Sequence, residues 1–110
     1  MTQLAFDLAQ RGAALAAGKA NRDSDGWTDR ALAALKEYAR RSHTFTTEDV
    51  ILASPDLPAP AEKRAWGFVT LQAKKLGIID KAGYATAKQA HAHCRPVSLW
   101  RSKIFSPAPG

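Results

Sequence analysis

Hydrophobic residues recur at helical spacing in four parts of the chain, and the first of these parts is rich in alanine. The periodicity predicts a helix over residues 2–18, with Thr2 as its N-cap. Its apolar stripe is formed by Leu4, Leu8 and Leu15. Because this stripe is narrow, we expect the helix to dock on the domain rather than to build its core. The polar residues 18–26, with glycine at both ends, predict a loop.

The second part predicts a helix that begins near Ser24 or Asp25 and ends at about Arg41. Its apolar stripe consists of Trp27, Ala31, Leu35 and Tyr38. These side chains recur every three or four residues, so they share one face of the helix. We therefore expect them to line the core.

The third part begins with a short extended segment at residues 43–46 and continues as a helix over residues 47–54. Thr46 and Asp49 fit the capping-box pattern, in which each side chain bonds to the backbone N–H of the other residue. Phe45 and Val50 flank this box as a hydrophobic staple. Together they fix where the short helix begins.

The fourth part predicts a helix over residues 60–76, with Pro60 in its first turn. Its core stripe consists of Trp66, Val69, Ala73 and Leu76. Gly77 follows as the left-handed residue that ends a helix in a Schellman motif. Residues 78–86 then predict a β-hairpin whose turn is residues 81–83, and residues 97–101 predict a further short strand.

The order of these elements predicts a mainly α fold with a small β-hairpin, namely a winged helix-turn-helix with an extra N-terminal helix. We divide it into the N-terminal helix (1–20), the winged-helix domain (21–104) and a disordered tail (105–110). Residues 55–59, between the two helices of the helix-turn-helix, form a longer and more proline-rich turn than is usual.

Three segments carry a resemblance to known proteins: FTTEDV, RAWGFVTLQAKKLGII and CRPVSLWRSKIF. They are similar to segments of small, uncharacterised winged-helix proteins that are encoded in phages and prophages of proteobacteria. The resemblance covers about residues 21–106. It implies a winged-helix domain and a phage-derived setting, but it assigns no activity and no functional residue.

The positive charge of the chain lies in its second half. Residues 1–55 hold seven basic and seven acidic residues, whereas residues 56–110 hold nine basic and three acidic residues, which gives the net charge of +6. A positive field that is concentrated in this way favours an anionic partner. With the winged-helix order, it predicts binding of double-stranded DNA in transcription regulation or replication.

The outward face of helix 60–76 is the predicted DNA-binding surface, with residue 81 beside it on the wing. Arg64 lies early in the helix and is the candidate for a base contact, because arginine pairs bidentately with guanine. The lysines of this surface suit phosphates, and Gly67 permits a close approach. The predicted site residues are Lys63, Arg64, Gly67, Leu71, Lys74, Lys75 and Lys81.

Phe68 and Leu71 do not fit a DNA-reading face well, because both are large and apolar. We expect residues 2–18 to cover them, which would also block part of the DNA-binding surface. An alternative function follows from the same two residues: a winged-helix module that binds a protein and recruits or inhibits a host or phage factor. Besides cover by residues 2–18 and contact with a protein partner, Leu71 could contact the methyl groups of thymine in the DNA.

The remaining chemistry points away from catalysis. The chain contains no P-loop, dinucleotide-binding or nucleophile-elbow motif, so we expect neither an enzyme nor a cofactor. His91, His93 and Cys94 are too few and too close together for a structural zinc site. A single cysteine, no signal-peptide pattern and no long apolar segment predict a cytoplasmic protein without a membrane span.

One further group lies near the C-terminal end of the chain. Arg95, Arg101 and Lys103 surround Trp100, which is the arrangement that binds single strands by stacking. The alternative is that Trp100 packs a terminal strand onto the domain. We favour packing, because large aromatic side chains dominate small cores.

Overall fold

The computed structural model describes residues 3–86 and 96–106, which form four helices and a small antiparallel sheet. The elements are α1 (Gln3–Asp23), α2 (Trp27–Arg41), β1 (Thr44–Phe45), α3 (Thr47–Leu52), α4 (Arg64–Lys75), β2 (Ile79–Thr86) and β3 (Pro96–Ser102). The strand order in the sheet is β1-β3-β2. In the part of the chain that is described, no helix has both the length and the apolar character needed to cross a bilayer.

Helix α1 continues through most of the loop predicted at residues 18–26 and ends at Asp23. It ends next to α2, where the Asn21 carboxamide oxygen accepts hydrogen bonds from the Thr28 N–H at 2.9 Å and the Thr28 hydroxyl at 3.2 Å. Gly26 then turns the chain at a φ of 68°. The predicted loop is therefore reduced to a tight turn, because the alanine-rich helix extends until α2 stops it.

The docking of α1 is confirmed, but Leu8 and Leu15 of the predicted stripe do not form the docking face. Leu8 and Leu15 are 56% and 75% exposed, whereas Ala16, Ala17 and Ala20 are buried. Two of these alanines, Ala16 and Ala20, lie in the same core as α2 and α4, so α1 also helps to build that core. Small residues form the contact face because they let two helix backbones approach closely.

The core forms where α2 and α4 pack against each other. Trp27, Ala31 and Leu35 of the predicted α2 stripe are buried, which confirms this helix and its inward face. The Trp27 and Trp66 rings meet edge to face at 5.4 Å, a geometry that adds about 0.5–1.5 kcal/mol to the burial of the rings themselves. The Trp27 Nε1–H donates to the Pro58 carbonyl at 2.7 Å and so ties the proline-rich turn to α2.

The capping box before α3 is confirmed. The Thr46 N–H donates to Asp49 Oδ2 at 2.9 Å, and the Asp49 N–H donates to Thr46 Oγ1 at 3.2 Å. Phe45 and Val50 are both buried, as a hydrophobic staple requires. The helix ends at Leu52, two residues before the predicted end.

Helix α4 begins at Arg64 rather than at residue 60, so Pro60 does not lie in its first turn. Its end is the predicted Schellman motif. The Gly77 N–H donates to the Lys74 carbonyl at 3.1 Å, the Ile78 N–H donates to the Ala73 carbonyl at 2.9 Å, and Gly77 has a φ of 76°.

The predicted inward stripe of α4 is correct except at its last position. Trp66, Val69 and Ala73 are buried, but Leu76 is 63% exposed. Leu76 is the C-cap of the helix, and the chain turns there toward β2. The Leu76 side chain therefore lies beyond the last turn that packs on the core.

The predicted hairpin turn at residues 81–83 is wrong, because β2 runs without a break from Ile79 to Thr86. It pairs with β3, with Lys81 opposite Trp100 and Gly83 opposite Leu99, so that Ala82 is the extra residue of a β-bulge. Gly83 serves the bulge at a φ of 144° instead of forming a turn. The connection between the two strands falls within residues 87–95, outside the described residues.

The strand predicted at residues 97–101 is confirmed as the central strand β3. Trp100 is half-buried against the core, and its Nε1–H donates to Thr47 Oγ1 at 3.2 Å, which agrees with packing. The Ser106 N–H donates to the Arg40 carbonyl at 3.2 Å, so the predicted disordered tail does not begin at residue 105. The rest of that tail, 107–110, lies outside the described residues.

Candidate nucleic-acid interface

Helix α1 lies along the face of α4 that the sequence predicted to bind DNA. A Cβ atom built on Gly67 of α4 would lie 3.8 Å from the Cβ of Ala13 on α1. An alanine at position 67 would therefore be in ordinary van der Waals contact with α1, so the approach of α1 does not require glycine there. Gly67 is nevertheless exposed, so α1 lies beside this face without covering it at this position.

Arg64, the predicted base contact, interacts with the protein itself. Its Nη2 lies 3.1 Å from Glu62 Oε2, and its guanidinium lies across the α1 backbone at Gly12. A Cβ at Gly12 would come within 2.7 Å of Arg64 Nη1, so only glycine leaves room for this arrangement of the arginine. The Arg64 side chain is still 65% exposed, so α1 limits its direction without burying it.

A groove of about 440 Å³ lies between α1, α4 and the sheet, and Gly67 is part of its lining. Its apolar floor includes Ala9, Ala13, Leu71 and Trp100. Lys74 and Lys81 line the same groove from α4 and β2. The groove therefore combines apolar surface with two cations.

Phe68 and Leu71 are both half-buried, but they line different depressions. Leu71 faces the groove next to α1, as predicted. Phe68 lies beside Thr28 and Leu32 of α2, so the predicted cover of Phe68 by residues 2–18 is wrong. The side of α4 that carries Phe68 turns toward α2 because the inward stripe through Trp66 and Val69 fixes the rotation of the helix.

Cations gather where α4 ends and the sheet begins. We call this region the cationic corner and define it by Lys74, Lys75, Lys81, Arg101 and Lys103. The Schellman motif places Lys74 and Lys75 directly before β2, and the Lys103 N–H donates to the Ile78 carbonyl at 2.9 Å. The β2–β3 pairing sets Arg101 opposite Asp80 and Lys81 opposite Trp100, so Arg101 and Lys81 extend from opposite faces of the sheet and the corner includes both faces.

Asp80 is the only carboxylate of the described residues that belongs to this corner. It accepts a hydrogen bond from its neighbour, the backbone N–H of Lys81, at 2.9 Å and one from Arg101 Nη2 at 3.2 Å. These hydrogen bonds, the first of them most strongly, lower the pKa of Asp80, and the charges of Arg101 and Lys103 lower it further. Within the described residues, Lys74, Lys75 and Lys103 have no carboxylate at ion-pair distance, so the corner keeps an excess of positive charge.

Tyr84 stands exposed beside this corner. The Lys81 ammonium donates to the Tyr84 hydroxyl at 3.0 Å and lies 4.2 Å from the centre of the Tyr84 ring. The hydrogen bond, and then the charge of Lys81, lower the pKa of Tyr84. An exposed aromatic ring and a cation thus lie in direct contact on β2.

The predicted site residues do not form one continuous surface. Lys63 and Arg64 lie at the start of α4, whereas Lys74, Lys75 and Lys81 lie at the other end, about 18 Å away at 1.5 Å per residue. Lys63 lines a small apolar depression with Ile51 and Trp66 rather than part of the corner. The sequence analysis did not include Arg101, Lys103 or Tyr84 in the site, because only the pairing of β2 with β3 brings them there.

No protein-family model, curated protein or solved structure matches the chain. His91, His93, Cys94 and Arg95 lie outside the described residues. Among the side chains that the structure describes, no three histidine, cysteine or carboxylate groups lie close enough together to share a metal ion.

Proposed function

We propose that this chain is a non-enzymatic, winged-helix protein that binds double-stranded DNA. The order α2, β1, α3, α4, β2, β3 and the sheet order β1-β3-β2 support the winged-helix part of the proposal. In such a fold, α3 and α4 are the helix-turn-helix, and β2 and β3 are the strands of the wing. The resemblance noted above adds a phage or prophage setting, and the DNA binding proposed here would serve regulation or replication.

The cationic corner is the observation that carries the proposal. Its five cations accompany a single carboxylate, and three of its lysines are unpaired among the described residues. Lys74 and Lys75 lie in the last turn of α4, where cations also stabilise the helix, but Lys81 and Arg101 come from the sheet and Lys103 directly follows β3. Cations that are presented by a helix end and two strands suit the phosphates of a duplex, which fix the position of a protein without reading sequence.

The salt dependence of DNA binding tests this surface. Each phosphate that a lysine neutralises contributes about 0.9 to the slope of log K against log salt concentration. We expect Lys74→Ala and Lys75→Ala each to flatten this slope by about that amount and to weaken binding to all sequences alike. The measurement is fluorescence anisotropy with a labelled duplex at several salt concentrations.

Lys36→Ala is the matched control, because Lys36 is an exposed helical lysine on α2 outside the corner. We expect its slope to equal that of the unchanged protein. If the unchanged protein binds no duplex, or if all three variants have the same slope, DNA binding through the corner is refuted.

The groove supports a second candidate function, binding of an acidic protein segment. Its apolar floor at Leu71 and Trp100 suits an apolar side chain, and Lys74 and Lys81 suit carboxylates beside it. Retention on heparin at rising salt, compared with co-purification of an acidic protein, distinguishes the two functions. In the protein-binding case, Leu71→Ser abolishes co-purification and leaves heparin retention unchanged.

A further inference from the structure

The bulge in β2 determines which face of the sheet Tyr84 lies on. In a regular strand, residues 81 and 84 lie on opposite faces, because successive side chains alternate. Ala82 is the extra residue of the bulge, so the alternation is shifted by one residue and Lys81 and Tyr84 share a face. The hydrogen bond of 3.0 Å between their side chains agrees with this placement. The bulge thus sets a tyrosine beside a lysine.

This face of the sheet borders the groove between α1, α4 and the sheet. Lys81 pairs with Trp100 and Tyr84 pairs with Ser98, and directly paired residues have their side chains on the same face. Lys81, Ser98 and Trp100 all line the groove. Tyr84 therefore stands at the mouth of the groove, where it is 67% exposed.

The groove offers both kinds of surface that a nucleotide needs. Its volume of about 440 Å³ lies within the usual range of small-ligand sites, about 300–1,000 Å³. Leu71 and Trp100 contribute apolar surface for a base, and Lys74 and Lys81 contribute positive charge for phosphates. None of the residues that line the groove is a carboxylate.

Tyr84 favours an unpaired base as the occupant over a duplex or an acidic peptide. An exposed aromatic ring stacks on the flat face of any base. Within a duplex, neighbouring bases cover these faces, so the ring can stack only on a base that is unpaired. The carboxylates of an acidic peptide would use the lysines but gain nothing from the ring. Single exposed aromatic residues are common on surfaces, but a bulge directs this one to a cationic groove.

We propose that the groove and Tyr84 bind single-stranded nucleic acid. One unpaired base stacks on Tyr84, a neighbouring base enters the groove against Leu71 and Trp100, and their phosphates lie on Lys74 and Lys81. This function goes beyond duplex binding, because it uses the faces of the bases as well as the phosphates. The sequence analysis considered such an arrangement around Trp100, but in the folded chain the exposed ring is that of Tyr84.

A comparison of two single-stranded probes tests this proposal in the full chain. One is a fluorescein-labelled thymidine oligomer of about 12 nucleotides, within the usual site sizes of about 4–16. The other is an abasic oligomer of the same length, which keeps the phosphates and lacks the bases. Fluorescence anisotropy at one salt concentration gives the affinities of the unchanged protein and of Tyr84→Ser, Tyr84→Phe and Leu76→Ser. Leu76→Ser is the matched control, because Leu76 is 63% exposed at the end of α4 but does not line the groove.

We expect Tyr84→Ser to weaken binding of the thymidine oligomer by about 5- to 150-fold, the range for the loss of one base–aromatic stack, and to leave binding of the abasic oligomer unchanged. The unchanged protein should prefer the thymidine oligomer by at least this factor. Tyr84→Phe and Leu76→Ser should keep the preference, and Tyr84→Phe separates stacking from the hydrogen bond with Lys81. A uridine and a deoxyuridine oligomer, which differ only in the 2′-hydroxyl, show whether RNA or DNA is the tighter ligand.

Three results overturn the inference. They are equal affinity of the unchanged protein for the thymidine and abasic oligomers, equal losses in Tyr84→Ser and Leu76→Ser, and displacement of the thymidine oligomer by polyglutamate as readily as by unlabelled oligomer. The last result assigns the groove to an acidic protein segment instead. A duplex probe in the same assay keeps the two proposals apart: duplex binding without a preference for thymidine over abasic oligomer refutes this inference alone, and that preference without duplex binding refutes the proposed function alone.

Discussion

Ser102 joins the sheet to the end of α2, and its removal gives a sharp test of how the sheet is held. Its hydroxyl donates to the Ala39 carbonyl at 2.6 Å and accepts a hydrogen bond from the Ile104 N–H at 3.1 Å. Ala39 lies in the last turn of α2, where carbonyl groups have no partner within the helix. Ser102 is buried, so water does not replace the hydroxyl easily.

The substitution Ser102→Ala removes both hydrogen bonds and leaves their partners without the hydroxyl. A hydrogen bond contributes about 1 kcal/mol net, and a buried group left unsatisfied costs about 1–3 kcal/mol. We therefore expect the free energy of unfolding to fall by roughly 2–3 kcal/mol. For a domain of this size, each kcal/mol of lost stability lowers the melting temperature by about 4 °C, so we expect a melting temperature that is lower by roughly 8–12 °C.

Urea unfolding, followed by circular dichroism, measures this loss. We expect a lower midpoint at an unchanged m-value, because the surface exposed on unfolding stays the same. Ser98→Ala is the matched control: Ser98 lies on the same strand, is half-buried, and its side chain makes no hydrogen bond with any of the described residues. A loss for Ser102→Ala that is no larger than the loss for Ser98→Ala would refute the reasoning.

Two further predictions test the end of α4 and the edge of the cationic corner. Gly77→Ala should lower the free energy of unfolding by about 1 kcal/mol, because Gly77 has a φ of 76°, which alanine adopts only with strain. In the same urea experiment, Gly18→Ala should raise the free energy of unfolding by about 0.5–1 kcal/mol, because Gly18 lies inside a helix and a Cβ atom there meets no close contact. A loss of stability in both variants would contradict this account. Lys81→Met should raise the pKa of Tyr84, because it removes the hydrogen bond and the positive charge that favour the phenolate. Ultraviolet absorbance of tyrosinate against pH measures this change, Tyr84→Phe separates its signal from that of Tyr38, and an unchanged titration would show that Lys81 does not act on Tyr84.

Local sequence was sufficient wherever neighbouring residues satisfy each other. The capping box of Thr46 and Asp49 and the Schellman motif at Gly77 depend on residues within one turn, so their geometry follows from residue type and spacing. The inward stripes of α2 and α4 were also predictable, because a large aromatic residue anchors each of them. The charge imbalance of the second half was equally visible in the sequence.

The hairpin was misread because its local signals were genuine but incomplete. Lys81, Ala82 and Gly83 have the composition of a short turn, and the alternative use of the same glycine is a bulge. Only the pairing of a full-length β2 with β3 distinguishes the two, and that pairing joins residues far apart in the sequence. For the same reason, the membership of Arg101 and Lys103 in the cationic corner became clear only in the folded chain.

The sequence by itself determined the type of most elements, the capping box of α3, the glycine end of α4 and the sign of the charge near α4. The tertiary structure alone decided which face of α1 turns inward and therefore which part of α4 remains open. The physical reason is that small side chains let two helix backbones approach closely: Ala16, Ala17 and Ala20 are buried, whereas Leu8 and Leu15 are exposed. Hydrophobic periodicity identifies the apolar face of a helix, but the fit between surfaces decides whether that face is the one that packs.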